Sequence, residues 1–150
     1  MKKIILLALT ITMSFNVNAQ VREVNSLNEA KTIATQENKC IMIVFSGSDW
    51  CVPCMRLEKE ILSQPEFINS EAKKLVLLRA DFPTRNKNIN LISKSQQAIN
   101  AKLFQTYNPK GIFPLVVLLD SNGKVLAETS YKSMSSGDYA SYIDYLISSK

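Results

Sequence analysis

The chain has 150 residues, 46% of them hydrophobic, with a formal net charge of +5, three cysteines and no histidine. This length suits one domain with its own core. Three cysteines without histidine make neither a disulfide scaffold nor an ordinary four-ligand zinc site. The positive excess, read as spread along the chain with no basic cluster interleaved with aromatics, argues against nucleic acid as a partner.

The chain opens on a targeting pattern. Met1-Lys2-Lys3 is basic, Ile4 to Phe15 is mostly apolar, and Val17-Asn18-Ala19 places small residues at a cleavage position. This reads as a signal peptide over residues 1–19, with Gln20 as the first mature residue. The apolar run is short and interrupted by Thr and Ser, which disfavours a membrane span. An uncleaved anchor and a buried strand are the alternative readings. No cysteine at the cleavage point suggests a lipid anchor. Residues 20–150 then form one domain, and since Lys2 and Lys3 leave with the leader, the formal charge falls to +3. The expected location is periplasmic or secreted, where the compartment can be oxidising and thiol enzymes are needed.

Along the mature chain, Ser26-Leu27-Asn28-Glu29 has the capping-box pattern and predicts a helix over residues 27–37. Cys40 to Phe45 is a continuous apolar run, as in a central strand covered on both faces. Cys40 itself reads as a small strand-start or core residue, because buried free cysteine is ordinary. A helix is predicted from about 52 to 62, with Pro53 in its first turn, where a missing N–H costs nothing. Met55, Glu58 and Leu62 recur at helical spacing beside Leu57 and Ile61.

Ser63 and Glu66 predict a second capped helical turn, and Leu75 to Ala80 a second buried strand, apolar apart from Arg79. Thr84 to Asn90 reads as a solvated basic loop. Ile89, Ile92, Gln96, Ile99 and Leu103 predict one long helix from about 88 to 105. Asn108-Pro109-Lys110-Gly111 breaks it, and Leu115 to Leu119 forms another strand. Asp120-Ser121-Asn122-Gly123 turns the chain into a hairpin partner at Val125 to Glu128. A last helix is predicted over 138–148. The order is helix, strand, helix, strand, helix, strand, strand, helix, and it calls for an α/β fold with a central mixed β-sheet flanked by helices.

The chemistry concentrates in Ser46-Gly47-Ser48-Asp49-Trp50-Cys51-Val52-Pro53-Cys54. Two thiols three positions apart, where a strand ends and a helix begins, can close a small disulfide ring and reopen it. A helix N-terminus offers unpaired N–H groups and the positive end of the peptide dipole, which favour a thiolate at Cys51. Cys51 is thus the nucleophile candidate and Cys54 the resolving thiol. Half of a zinc site is the weaker reading, for want of further ligands. Asp49 reads as a solvated turn residue, with a local acid as the alternative.

Trp50-Cys51-Val52-Pro53-Cys54, together with Phe113-Pro114 before a later strand, resembles the thioredoxin superfamily over residues 24 to 148. The likeness extends to secreted bacterial thioredoxin-like proteins with an FxGSDWCxxC site, and Leu57, Glu58, Glu60, Pro65 and Phe67 carry it further. The resemblance implies a thioredoxin-like three-layer sandwich, Cys51 and Cys54 as the catalytic pair, and Pro114 as a cis-proline facing their disulfide. Trp50, Val52, Pro53, Phe113 and Pro114 would then receive the substrate, with the Phe113 backbone pairing with an extended segment. Outside the resemblance, Pro114 would read as a trans proline opening a strand. One departure stands out. The family's buried carboxylate on the strand before the motif falls here at Ile43 or Val44, leaving water or a residue such as Glu58 to serve Cys54.

The activity so implied is thiol-disulfide exchange on protein thiols or disulfides, as a reductase rather than an oxidase, with a membrane or periplasmic thiol partner. It needs no metal, nucleotide or flavin, and the chain is expected to act as a monomer. The alternative is a binding or chaperone-like module in which Cys51 and Cys54 form a structural disulfide. A dimer disulfide through Cys40 is a third reading, prompted by the odd cysteine.

Overall fold

A computed structural model describes residues 20–149; the predicted signal segment lies outside the described residues. The elements are β1 (Arg22–Val24), α1 (Leu27–Glu37), β2 (Cys40–Ser46), α2 (Val52–Leu57), α3 (Pro65–Glu71), β3 (Leu75–Asp81), α4 (Asn86–Ile89), α5 (Lys94–Tyr107), β4 (Leu115–Leu119), β5 (Val125–Thr129) and α6 (Ser136–Ser148). The sheet order is β1-β3-β2-β4-β5. β1 and β2 run parallel to β3, while β4 runs antiparallel to β2 and β5 to β4. β2 is therefore the central strand, and the sheet is mixed because the hairpin adds its antiparallel half.

Alternation along β2 builds both cores. Ile41, Ile43 and Phe45 pack with Ala30, Ile33 and Ala34 of α1 and Leu103 of α5. Met42 and Val44 pack on the opposite face with Leu57, Ile61, Phe67, Tyr139 and Ile143. Helices thus cover both faces, as in the expected three-layer sandwich. Ser26 Oγ accepts from the Glu29 N–H at 3.3 Å, and the Glu29 carboxylate accepts from the Asn25 N–H at 3.4 Å, one residue before the predicted partner. Asn38 stops α1 in the left-handed region at φ 52.

The structure departs from expectation at three places. β1 was not predicted: it is three residues long and only Val24 is buried, so it has no hydrophobic period, and pairing with β3 creates it. The long helix at 88–105 is two helices, because Ser93 Oγ accepts from the Gln96 N–H at 3.1 Å and caps α5 afresh. Gln97 Nε2 donates back to the Ile89 and Ile92 carbonyls across the break. Ser63 does not cap α3, whose cap is Gln64; its hydroxyl donates to Glu58 at 2.6 Å. The helix expected over 52–62 has those bounds, with α2 continuing through a wider π-helical turn, Glu58–Leu62, closed by the Ser63 N–H on the Glu58 carbonyl at 2.9 Å. The buried side of this helix is Cys54, Leu57, Ile61 and Leu62, and Met55 is exposed.

Candidate active site

The site lies at the carboxyl end of β2, where the chain leaves the sheet through Gly47 and enters α2. Gly47 is buried, and its carbonyl accepts from the Cys51 N–H at 2.9 Å. A Cβ added there would enter the space of the Trp50 indole, so only glycine lets the aromatic lie over the turn. The indole N–H donates to the Phe82 carbonyl at 2.8 Å. Its ring stands edge-on to Phe113 at 5.3 Å, and Phe113 continues into Phe82 and Phe104. Trp50 is still 46% exposed, so it both packs and presents a surface.

Cys51 is the N-cap of α2, and Cys51 and Cys54 are joined as a disulfide with their Cα atoms 5.2 Å apart. The Cys54 N–H donates to Cys51 Sγ at 3.3 Å. That donor and the helix dipole point at the sulfur that would carry charge after reduction. The cysteines are only 5% and 3% exposed, at the floor of a rim made by Trp50, Val52, Pro53, Met55 and Ile112.

The Phe113–Pro114 peptide is cis, and Pro114 is buried. Among the described residues, neither backbone polar group of Phe113 has a hydrogen-bond partner. The preceding loop is held by Asn108, itself 1% exposed: its amide donates to the Ile112 carbonyl at 2.8 Å, and its side-chain oxygen accepts from the Ile112 N–H at 2.9 Å. On the far side, Ser130 Oγ donates to the Pro114 carbonyl at 2.6 Å.

Asp49 is a staple. It accepts from the Thr84 and Arg85 N–H groups, the Thr84 hydroxyl and the Asn88 amide, tying the motif to α4. Lost hydration, the largest single influence, pushes its carboxyl up. The hydrogen bonds from Thr84, Arg85 and Asn88 together outweigh that and hold it at about 2.

Behind Cys54 lies a cavity of about 300 Å³ whose lining includes Val44, Cys54, Met55, Glu58, Arg79 and Asp81. Val44 stands opposite Arg79 in the sheet, so no acid comes from β2. The acid arrives from the helix: Glu58 lies one turn beyond Cys54 and pairs with Arg79, whose other partner is Glu23 at 3.1 Å. Asp81 accepts from the Ser48 N–H and hydroxyl at 2.9 and 2.6 Å. The lone charge of Arg79 in an apolar strand was the sequence signal for this group. Asn108 and the stapling role of Asp49 gave none beyond their turn context.

Cys40 stands at the first residue of β2, away from the site, as a free thiol. Burial, with a lesser contribution from Asp120, pushes its thiol up. Among the described residues no group of three or more His, Cys, Asp or Glu is placed to hold a metal ion.

This sheet order, with a CxxC disulfide at a helix start and a cis-proline before β4, defines a class: the chain belongs to the thioredoxin-like family, whose family model matches residues 22–121. It is similar to the disulfide bond reductase DsbH of Chlamydia pneumoniae, at 31% identity over 118 residues that cover 79% of this chain and 68% of that protein. A solved structure of a DsbH oxidoreductase matches with a TM-score of 0.77 at 26% identity, covering 96% of each chain. The thiol:disulfide interchange protein DsbD of Photorhabdus laumondii is 27% identical over 121 residues, 80% of this chain and 19% of that protein.

Proposed function

We propose that this chain reduces disulfides in proteins outside the cytoplasm, with Cys51 as the attacking thiol and Cys54 as the resolving one. Its class is firm: it is a thiol-disulfide oxidoreductase, like the relatives it matches along most of its length. The observation that carries the assignment of roles is the Cys54 N–H aimed at Cys51 Sγ, at the start of α2. The reductive direction rests on similarity to a protein named as a disulfide bond reductase. The extracytoplasmic setting rests on the leader-like residues 1–19, which would be removed before Gln20, and on the Dsb relatives.

In the reaction, the Cys51 thiolate attacks one sulfur of the substrate disulfide. The Cys51–substrate bond forms as the substrate's own S–S bond breaks, and its other sulfur leaves as a thiolate. Cys54 loses its proton and attacks Cys51 Sγ, so the Cys51–Cys54 bond forms and the second substrate thiolate departs. Two electrons pass to the substrate, and the two protons given up by the pair are taken up by its thiolates. A second thiol partner then returns the pair to the dithiol.

Trp50, Val52 and Pro53 supply the apolar rim for the substrate, while Phe113 offers its free backbone groups and Pro114 sets that segment against the disulfide. That Glu58, paired with Arg79, lines the same cavity as Cys54 supports it as the acceptor of the Cys54 proton. A structural disulfide in a binding module is the second reading, favoured by the low exposure of both cysteines. Insulin reduction by the dithiothreitol-reduced protein separates the two. Acceleration that disappears in Cys51→Ser supports exchange; a rate indifferent to that change assigns the disulfide a structural role.

A further inference from the structure

The positive excess of this chain is not spread along it. Residues 82–119 hold Arg85, Lys87, Lys94, Lys102 and Lys110 and no carboxylate. All 13 Asp and Glu residues lie outside that segment, where they outnumber the cations of residues 20–150. All five cations are exposed, and none forms an ion pair among the described residues, whereas Arg22, Lys39, Arg56, Lys74 and Arg79 do.

This segment folds as α4, α5 and the loop to Pro114, forming one flank of the disulfide. It is joined to the motif through Asp49 on Thr84, Arg85 and Asn88, through Trp50 on Phe82, and through the Trp50–Phe113 edge contact. Arg85 and Lys87 thus lie on one side of the apolar rim, and Lys110 stands two residues before Ile112 on the other. Of the nearby carboxylates, Glu58 and Glu60 are paired with Arg79 and Arg56, while Asp49 and Asp81 are held by neutral donors and keep their charge. Arg85, Lys87 and Lys110 outnumber those two charges, so a cationic excess is left on this flank.

We propose that this flank docks an acidic protein segment, so that the preferred exchange partners carry Asp and Glu beside their disulfide or thiols. The proposal rests on the exchange reading above and adds the partner's charge. Fields of this kind steer encounter and discriminate against like-charged partners, with modest effect on the chemical step. Acidic protein is favoured over anionic lipid because Arg85, Lys87 and Lys110 flank the motif and its apolar rim, where only a sulfur-bearing partner can react.

The test uses three synthetic peptides with the same internal disulfide, flanked by Glu, by Lys or by neutral residues. At low salt the reduced protein is expected to reduce the Glu peptide about tenfold faster than the Lys peptide. That gap should close from about 0.01 M to about 1 M salt, as the screening length shrinks from about 30 Å to about 3 Å. The combined variant Arg85→Glu, Lys87→Glu, Lys94→Glu and Lys110→Glu should reverse the preference while reducing the neutral peptide within about twofold of wild type. Lys31→Glu with Lys124→Glu, at the opposite pole near Gly123, should leave the preference in place.

Failure of the wild type to reduce the neutral peptide would sink the exchange reading itself. Reduction of all three at one rate, or an unreversed preference in the combined variant, would overturn the docking proposal alone. Sedimentation with phosphatidylglycerol vesicles without discrimination among peptides would assign the flank to lipid and overturn it as well. The side chains of Arg85, Lys87, Lys94, Lys110 and Lys124 are exposed, that of Lys31 is half-buried, and none is in an ion pair among the described residues; circular dichroism confirms that each variant folds before rates are compared.

Discussion

Glu58 pairs with Arg79 one helical turn beyond Cys54, and the two line the same cavity as that sulfur. An acid near Cys54 thus arrives from the helix, alongside Asp81 of β3, in a fold whose central strand here has only apolar residues at the matching positions. Glu58→Gln is expected to slow the resolving step, by about tenfold where a fully sequestered general base would give hundredfold or more. Single-turnover Trp50 fluorescence checks this. Cys51 attack should change less than Cys54 attack, and the pH profile of resolution should shift, which a purely structural role for the ion pair would not produce.

Asp49 links acidity to the shape of the site. Its folded carboxyl sits at about 2, below its ordinary value. Its contribution is therefore present above the unfolded carboxylate range near 4 and is lost as the pH falls toward about 2. Acid should loosen α4 from the motif before the core melts, read as cleavage at Arg85 by an acid-stable protease or a change in Trp50 emission. In Asp49→Asn that acid transition should be absent.

Asn108→Ala removes a donor and an acceptor at a residue that is 1% exposed. The Ile112 N–H and C=O would lose both partners, an expected cost of about 1–3 kcal/mol in chemical denaturation. Because the loop it shapes carries Phe113, peptide KM should rise more than kcat falls. Equal losses in both would place Asn108 outside substrate positioning.

The core offers a check on the fold alone. Ile61 is fully buried on the π-helical turn that packs α2 against the sheet. Ile61→Ala should cost about 2–5 kcal/mol, while the reduction potential of the pair moves little, since Ile61 does not line the cavity by Cys54.

Much of this was legible in the sequence because burial and capping impose periods. The apolar run of β2, the Ser26 cap and the spacing of α6 each follow from one local rule. What was not legible depended on partners distant in the chain, or on which of two local signals prevails. β1 exists only through its pairing with β3, and the break before α5 depends on Ser93 capping where the apolar spacing ran on. At the site, Cys51, Cys54 and Pro114 carried their own motif. The Glu58–Arg79 pair, the Asp49 staple and the Asn108 clamp join residues 21, 36 and 4 positions apart by contacts that no local pattern encodes.

Cys40 and the reactive pair stand at opposite ends of β2. Seven residues of strand at about 3.3 Å each hold the odd thiol roughly 20 Å from the other end. The central strand therefore works as a ruler as well as a wall of the core. The folded chain has one internal pairing open to it, and a mixed disulfide at Cys51 cannot be diverted onto Cys40 of the same molecule. Scrambling, the usual hazard of a third thiol in an exchange enzyme, is prevented by length alone.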